Sequence, residues 1–478
     1  MSEPLWTLDD LIRVTAGRPV GPEPGPVTGL SIDSRTLEPG DAFLAIRGDR
    51  FDGHDFVGPA MARGASLAFV EQDRLARLGR ITGTLVVVDD VMAAMTALAV
   101  AARDRTAAQI VAVTGSAGKT TTKDMLRLAL SSSGKVHAAP ASFNNHWGVP
   151  LTLARMPADA DYAVIEIGMN HAGEIAPLVQ MVRPHAAIIT TIAAAHLGSF
   201  SSVEDIARAK AEILTGIEPG GAAILNRDNR HFEMLALLAS EIGVPNIVAF
   251  GEDAEADVRL EDAKLEAGGS EVQALVGGER VRYSLSVPGA HIVANSLATL
   301  AAVQAVEADV EAAAAALGAF AAGTGRGERL LCRLPTGSAL VIDESYNANP
   351  ASMEAALAVL GRAAVRGEGR RIAVLGDMLE LGGTERALHA ALADPIHRAG
   401  IDLVHLAGPR MKALWDVLPA DRRGVYAETA GELGAALTNE LRAGDVVMVK
   451  GSNSIGMRTV VNAIRDRCQS GEGDREGA

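Results

Sequence analysis

The sequence predicts an α/β protein of three domains, and three observations lead to this prediction. The chain has 478 residues, of which 48% are hydrophobic, which is enough for several separate cores. Between residues 106 and 322, short apolar runs that suit buried strands alternate with stretches of helical spacing. The same alternation starts again at residue 323. We therefore expect domains at 1–105, 106–322 and 323–478.

Composition narrows the class of partner. The net charge of −15 argues against a nucleic acid or a membrane surface as partner. The first residues, "MSEPLWTLDDLIRV", include early acidic residues and no apolar core, so we expect neither a signal peptide nor membrane insertion. The only two cysteines, Cys332 and Cys468, predict no disulfide framework, which favours a reducing compartment and a cytoplasmic location.

The N-terminal segment, 1–105, contains short strand-like runs separated by turns. The stretches "GLSIDSRTLEPGDAFLAIRG" and "GASLAFV" alternate β-branched or aromatic residues with glycine and proline. Helical stretches lie between them. This pattern predicts a small sheet with helices packed on it.

The central segment opens with a glycine-rich loop. The apolar run "IVAV" (110–113) leads into 115–120, "GSAGKT", and the following "TTKDMLRLAL" has helical spacing. Strand, glycine turn and helix together form a phosphate-binding site, because backbone N–H groups and the helix N-terminus attract anions. Lys119 would reach the outer phosphates, and the Thr120 hydroxyl would ligate Mg²⁺. The alternative is an ordinary strand-to-helix turn, in which a lysine at position 119 would have no role.

Polar residues follow the next predicted strands of what we expect to be a parallel sheet. Glu166 lies near the end of the apolar run "YAVIEIGMN", and His196 follows the run "AAIITTI". A buried carboxylate is costly unless it is paired or binds a metal. Glu166 is therefore either a Mg²⁺ ligand or a carboxylate that accepts hydrogen bonds from loop amides. His196 is either an exposed loop residue or a member of the same site.

Lys210 occupies the apolar face of a predicted helix. Ser202 can cap this helix, and Lys210 shares a face with Ile206, Ile213 and Leu214. The long side chain could reach solvent along its stem. However, only seven of the 44 basic residues are lysine, so a lysine here is favoured as a functional residue.

Three further residues complete a possible nucleotide site. Asn295, early in the helix of "PGAHIVANSLATLAAV", offers an amide to a purine edge or caps the helix. Arg326 begins the third segment, where it could reach phosphates across a cleft. Asp343 ends the strand-like run "ALVIDE". With "RIAVLGD", "LVHLAG" and "DVVMVKG", this run predicts a smaller, Rossmann-like doubly wound domain.

Taken together, the motifs resemble the Mur ligase family, and most closely its MurF type, over nearly the whole chain. The segments that carry the resemblance are "DSR" (33–35), "GDAFLAIRGDRFDGHDF", "TGSAGKTT", "NNHWGVPLTL", "EIGMN", "AHLGSF", "AKAEIL", "GAHIVANSLA", "DESYNANPASM", "VLGDMLELG" and "VKGS". The resemblance implies an N-terminal UDP-substrate domain, a central P-loop ATPase-like domain and a C-terminal Rossmann-like domain. It implies an enzyme that uses ATP and Mg²⁺ to join D-alanyl-D-alanine to UDP-N-acetylmuramoyl-tripeptide in peptidoglycan synthesis, most simply as a monomer.

The resemblance also implies residue roles. Substrate contacts would come from Ser34, Arg35, Asn144 and Asn145. ATP contacts would come from Gly115, Ser116, Ala117, Gly118, Lys119, Thr120, Thr121, Asn295, Arg326 and Asp343. Metal ligands would be Thr120, Glu166, His196 and Lys210, the last as a carbamate, and the catalytic set would be Lys119, Glu166, His196 and Lys210. Ile292 and Asn453 depart from residues common in the family, which are asparagine and arginine.

Two alternatives remain at this point. One is another ligase of the same family that adds a single amino acid, although the DNPR-like signature of the diaminopimelate-adding ligase is absent. The other is a non-catalytic ATP-binding regulator, which would not need Glu166, His196 or Lys210. The sequence does not specify whether the third residue of the tripeptide is lysine or diaminopimelate.

Overall fold

The computed structural model describes residues 4–48, 50–437 and 440–473, with side chains described as far as Cys468. It contains three β-sheets in chain order, each with helices packed against it. Each sheet has a buried apolar cluster on both faces. The predicted α/β class with three domains is therefore confirmed.

The N-terminal sheet has five strands in the order β1-β5-β4-β3-β2, all parallel except β1. Its elements are α1 Leu8–Thr15, β1 Arg18–Val20, β2 Gly29–Ser31, β3 Asp41–Leu44, α2 Val57–Ala62, β4 Leu67–Glu71, β5 Thr84–Val88 and α3 Val91–Asp104.

The central sheet has nine strands in the order β14-β13-β12-β11-β10-β9-β6-β8-β7. Its strands are β6 Gln109–Thr114, β7 Val136–Ala138, β8 Tyr162–Glu166, β9 Ala186–Ile189, β10 Ala222–Asn226, β11 Asn246–Gly251, β12 Val258–Glu266, β13 Gly269–Val276 and β14 Glu279–Leu285. Its helices are α4 Lys119–Leu130, α5 Gly148–Ala154, α6 Ile175–Val182, α7 Val203–Ala211, α8 Phe232–Ile242, α9 Ala290–Ala305 and α10 Val310–Leu317.

This central sheet is parallel only in part. Strands β6 to β12 pair in parallel, whereas β12, β13 and β14 form an antiparallel meander at one edge. The meander buries alternate residues of β14 and leaves the others in solvent, as an antiparallel edge does. The expectation of a parallel sheet is therefore corrected at this edge.

The C-terminal sheet has six strands in the order β15-β16-β20-β17-β18-β19. Its elements are β15 Glu328–Leu334, β16 Gly337–Glu344, α11 Pro350–Arg362, β17 Arg371–Gly376, α12 Glu385–Ala390, α13 Ala393–Arg398, β18 Leu403–Ala407, α14 Lys412–Val417, β19 Arg423–Ala427, α15 Ala430–Leu437, β20 Val446–Lys450 and α16 Arg458–Gly473. Four of these strands are the predicted ones. Strands β15, which is antiparallel, and β19 are additional edge strands.

The two cysteines form a disulfide bond, which overturns the sequence-based expectation. Cys332 lies on β15 and Cys468 lies on α16, with Cα atoms 5.1 Å apart and a sequence separation of 136. Helix α16 packs against β15 and brings the two side chains together. Because that packing joins distant parts of the chain, residue counting could not reveal it.

Among the described residues, no helix combines the length and apolar character that crossing a membrane requires.

Candidate active site

A cavity of about 530 Å³ lies between the central and C-terminal sheets. The central domain contributes the phosphate loop, the ends of β8 and β9, and the start of α9. The C-terminal domain contributes the segment after β16 and the end of β20. The predicted site residues that line it are Ser116, Ala117, Gly118, Lys119, Thr120, Thr121, Asn144, Glu166, His196, Asn295 and Arg326.

The phosphate loop joins β6 to α4, and two of its glycines are required by geometry. Gly115 has φ of 151°, and a Cβ there would lie 1.9 Å from Thr190 Oγ1. Gly118, at the N-cap of α4, has φ of 84°, and a Cβ there would lie 2.7 Å from Asn295 Oδ1. Both positions favour the left-handed region that glycine alone enters at low cost. The loop therefore leaves its backbone open at the helix N-terminus, as anion binding requires.

Neighbouring strands hold this loop in place. The Ser116 amide donates to Thr191 O at 2.8 Å, and the Thr190 hydroxyl donates to Ala117 O. Lys119 folds over its own loop, since Nζ donates to Gly115 O at 2.8 Å. Burial lowers the pKa of Lys119, while the nearby Glu166 carboxylate opposes that shift. The ammonium group is therefore positioned over the loop that would hold a phosphate.

Glu166 ends β8 with a side chain that is buried and fully hydrogen-bonded. Oε2 accepts from the Thr120 hydroxyl at 2.9 Å. Oε1 accepts from the Ser142 hydroxyl at 2.8 Å and from the Asn144 amide at 2.7 Å. A carboxylate beside the phosphate-loop hydroxyl supplies the hard oxygen donors that Mg²⁺ prefers.

His196 lies in the loop after β9, on the wall of the same cavity. Its Nδ1 is 2.5 Å from Oε2 of Glu380, a residue of the C-terminal domain. That contact lowers the pKa of Glu380. The cavity is thus closed on this side by a contact between two domains.

Lys210 is on helix α7 and is 99% buried, as its position beside Ile206 predicts. Ser202 caps the helix as predicted, since its hydroxyl accepts from the Asp205 amide at 3.1 Å. Lys210 has neither a hydrogen bond nor an ion pair in the described part of the chain. Burial, and next the positive charge of Lys119, hold its pKa well below the usual lysine value.

The opposite wall of the cavity suits a nucleotide base and ribose. Asn295 is buried in α9 and lines this wall together with Ile292. The Arg326 guanidinium lies 3.8 Å from the centre of the Tyr346 ring. Asn349, which caps α11, donates through Nδ2 to Ser116 O at 3.0 Å, so the C-terminal domain contacts the phosphate loop directly.

Some predicted residues lie away from this cavity or are already engaged. Asp343 is fully buried, accepts from the Ser345 amide and does not line the cavity. Asn145 is not in the lining either, and its side-chain oxygen accepts from the amides that begin α5. Ser34 and Arg35 belong to the N-terminal domain, where Arg35 pairs with Asp33.

The structure adds residues that sequence reasoning did not assign. Ser142 and Glu380 contact predicted metal ligands, and Tyr346 and Asn349 line the nucleotide wall. Each of these residues lies in or near a sequence motif of the Mur ligase family. The motifs therefore indicated where the residues are in the chain, but not which residues they contact. No group of three or more His, Cys, Asp or Glu side chains in the described ranges is arranged to hold a metal ion alone.

Comparison with protein families matches three consecutive parts of the chain. Residues 26–113 match the Mur ligase family catalytic domain, 113–303 match the Mur ligase middle domain, and 325–453 match the Mur ligase glutamate ligase domain. Together these matches cover most of the chain.

Individual relatives match over nearly their full length. The chain is 35% identical to UDP-N-acetylmuramoyl-tripeptide--D-alanyl-D-alanine ligase of Escherichia coli (strain K12), over 91% of this chain and 93% of the relative. It is 32% identical to the ligase of the same name from Bacillus subtilis (strain 168), over 92% and 93%. The crystal structure of MurF from Acinetobacter baumannii superposes with a TM-score of 0.82 at 30% identity, over 96% and 99%. The chain therefore belongs to the Mur ligase family, in its MurF branch.

Proposed function

We propose that this protein is an ATP-dependent ligase that joins D-alanyl-D-alanine to UDP-N-acetylmuramoyl-tripeptide in peptidoglycan precursor synthesis. The observation that carries the proposal is the hydrogen bond from Thr120, on the phosphate loop, to the buried Glu166 carboxylate. A non-catalytic nucleotide-binding protein would have no need for the unpartnered buried Lys210 nearby. The names of the relatives supply the substrates.

The residues present fit ATP and Mg²⁺. The phosphate loop and Lys119 would hold the phosphates, with Asn295 and Arg326 on the nucleotide wall. Thr120 and Glu166 would ligate Mg²⁺, since a hydroxyl and a carboxylate are typical of its few protein ligands. Bound there, Mg²⁺ would neutralise charge on the transferring phosphoryl group.

The reaction is proposed to proceed in two steps. A tripeptide carboxylate oxygen attacks the γ-phosphorus of ATP, which releases ADP and leaves an acyl phosphate. The neutral amine of D-alanyl-D-alanine then attacks the acyl carbon, and the tetrahedral intermediate expels phosphate, which takes up the proton lost by the nitrogen as the amide forms. Lys119 stabilises charge on the phosphoryl group in the first step. Closure of the two domains around the cavity would exclude water, which would otherwise hydrolyse the acyl phosphate.

The three proposed domains divide this work. Residues 1–105, with Ser34 and Arg35, would hold the UDP end of the precursor, and Asn144 and Asn145 would lie near its reacting end. Residues 106–322 would hold ATP, and 323–478 would complete the cavity. We propose that the enzyme acts as a monomer in the cytoplasm, where ATP and the UDP-linked precursor are available.

Phosphate release tests the proposal directly. Purified protein would be assayed with ATP and Mg²⁺ against UDP-muramyl-dipeptide and UDP-muramyl-tripeptide, each crossed with D-Ala, D-Glu and D-Ala-D-Ala. We expect release only with the tripeptide and D-Ala-D-Ala together. Release with a single amino acid instead would assign another ligase of the family. ATP binding without release under any combination would identify a regulator.

A further inference from the structure

The contact between His196 and Glu380 joins two domains at the edge of the cavity. His196 Nδ1 and Glu380 Oε2 lie 2.5 Å apart. Beside them, the Gly198 amide donates to Glu380 O at 2.8 Å, so the backbones of the two loops are also hydrogen-bonded. A Cβ at Gly382 would lie 3.1 Å from the Gly198 Cα, which shows how closely the loops approach.

Both contacting residues have unusual backbone conformations. His196 has φ of 59° and Glu380 has φ of 63°, and only three other described non-glycine residues have positive φ. Such backbone conformations cost free energy and persist only where the surrounding structure imposes them. They concentrate at functional sites. Two facing residues of different domains thus both adopt a conformation that the surrounding structure must hold in place.

The loop that carries Glu380 is fixed by hydrogen bonds to the rest of the C-terminal domain. The Met378 amide donates to His389 Nε2 at 2.9 Å, and the Leu379 amide donates to Ser452 Oγ at 2.9 Å. His389 is itself buried, and its other ring nitrogen lies 2.6 Å from Glu385 O. Glu380 is therefore presented by a loop that is fixed by both of the residues before it.

Stability alone does not explain this pair. The Glu380 side chain is 59% exposed, and ion pairs with so much solvent contact contribute little to the free energy of unfolding. The pair instead brings a carboxylate to one ring nitrogen of a predicted metal ligand: the two atoms lie 2.5 Å apart, although Nδ1 is not aligned for a hydrogen bond in this structure. A metal-binding histidine donates its second ring N–H to a carboxylate, which selects the tautomer and orients the ring. Nε2 of His196 has no partner in the described part of the chain.

We propose that Glu380 is a positioning residue for the metal site of the central domain. With the metal bound, its carboxylate would accept the Nδ1–H of His196 and so leave Nε2 as the nitrogen available to the metal. Because Glu380 belongs to the C-terminal domain, the metal site is complete only when that domain is docked. This inference rests on the proposed function and takes His196 as a Mg²⁺ ligand, the role that the family resemblance implies.

The test measures metal affinity rather than turnover. Mn²⁺ would be titrated into the full chain with a non-hydrolysable ATP analogue and followed by electron paramagnetic resonance. Glu380→Gln, which keeps the shape and removes the charge, should bind Mn²⁺ about 10–100-fold more weakly. The matched control is Glu354→Gln, an exposed carboxylate of the same domain that pairs with Arg398. It should stay within about twofold of wild type.

A double-mutant cycle separates positioning from a general effect on docking. In a His196→Ala background, Glu380→Gln should weaken Mn²⁺ binding no further, because the carboxylate acts through the imidazole. Glu380→Asp, which keeps the charge, covers the case in which the glutamine variant folds poorly and should retain more affinity than Glu380→Ala. Circular dichroism would verify folding.

Two outcomes would overturn the inference. One is wild-type Mn²⁺ affinity in folded Glu380→Gln, and the other is an equal loss with and without His196. Neither outcome affects the proposed ligase activity, which wild-type phosphate release tests separately.

Discussion

At the scale of single residues, Lys210 lies in a place that ordinarily excludes a charged amine. The side chain is buried without a partner, and burial disfavours the ammonium form. A neutral amine can react with CO₂, which forms an N–C bond and releases a proton to give an anionic carbamate. We propose that this carbamate ligates or orients a second Mg²⁺ near Glu166 and His196, which removes the conflict between burial and positive charge.

Substitution of Lys210 tests the carbamate. Lys210→Ala should lower kcat about 10²–10³-fold, since it removes the proposed anionic group that would hold or orient the second Mg²⁺. Lys210→Arg should not restore activity, because arginine keeps the positive charge. Acetate or formate should restore part of it in Lys210→Ala by occupying the anionic position. Lys264→Ala, at an exposed lysine paired with Glu266, serves as control and should leave kcat unchanged. A fully active Lys210→Arg would contradict the carbamate.

Because His405 is buried in the core of the C-terminal sheet, we expect the stability of the C-terminal domain to fall at acidic pH. Burial lowers its pKa from 6.5 to about 4, and its Nδ1 accepts from the Val425 amide. The unfolded chain therefore binds a proton before the folded chain does. The contribution of neutral His405 to the free energy of unfolding is fully present above pH 6.5 and is lost as the pH falls from 6.5 to about 4. The loss is on the order of 3 kcal/mol.

Chemical denaturation across this pH range measures the effect. His405→Gln should flatten the decline in the free energy of unfolding, whatever its stability at neutral pH. His397→Gln, an exposed histidine of the same domain, should decline as wild type does. An equally steep decline in His405→Gln would show that other groups cause it.

At the scale of elements, local patterns predicted what depends on neighbours in sequence. The strand β6, the loop and helix α4 are found as predicted, and so are the buried positions of Glu166 on β8 and Lys210 on α7. Strands β15 and β19 were not predicted, because an edge strand is only partly buried and has a weaker apolar pattern. The antiparallel edge at β13 and β14 did have a signal in the sequence, namely alternating apolar and polar residues and glycine pairs at the turns.

Contacts between distant segments lie outside such reasoning. Glu380 was visible only as part of a motif, because its partner His196 is almost 200 residues earlier in the chain. The same holds for Asn349 and the phosphate loop, and for the two cysteines. Sequence patterns thus located the site on the central domain and Arg326 on its C-terminal side, and missed the contacts that Glu380 and Asn349 make across the cavity.

The disulfide bond of helix α16 should contribute to the stability of the C-terminal domain. The Cys332–Cys468 bond closes a loop of 136 residues and ties the helix to β15. By loop closure it should stabilise the oxidised C-terminal domain by roughly 2–5 kcal/mol. In the proposed cytoplasmic location the pair would be reduced, so this gain belongs to oxidising conditions.

Denaturation with and without reductant isolates the bond. In oxidising buffer, Cys468→Ser should unfold at a lower denaturant concentration than wild type. Reductant should remove most of the difference by destabilising wild type alone. If the difference persists under reductant, the thiol contributes through packing, and the bond adds nothing to stability.

At the scale of the whole molecule, the substrate must span two domains. The reacting end needs the cavity that holds the phosphate loop, whereas the proposed uridine contacts, Ser34 and Arg35, lie in the turn after β2 of the N-terminal domain and outside that cavity. Arg35 is 87% exposed and makes only a local pair with Asp33. An exposed guanidinium of this kind is available to a ligand and contributes little to the fold.

Arg35→Ala should therefore change KM for the UDP substrate and leave KM for ATP nearly unchanged. Loss of a charged hydrogen bond costs about 1.5–3 kcal/mol, so KM for the UDP substrate should rise about 10–100-fold. KM for ATP should change less than about twofold, because the nucleotide cavity is built from the other two domains. Arg13→Ala, also exposed on the N-terminal domain and paired with Asp10, controls for the loss of a surface charge and should change neither constant. Equal increases in both KM values would mean that Arg35 acts on the arrangement of the domains and not at a separate uridine site.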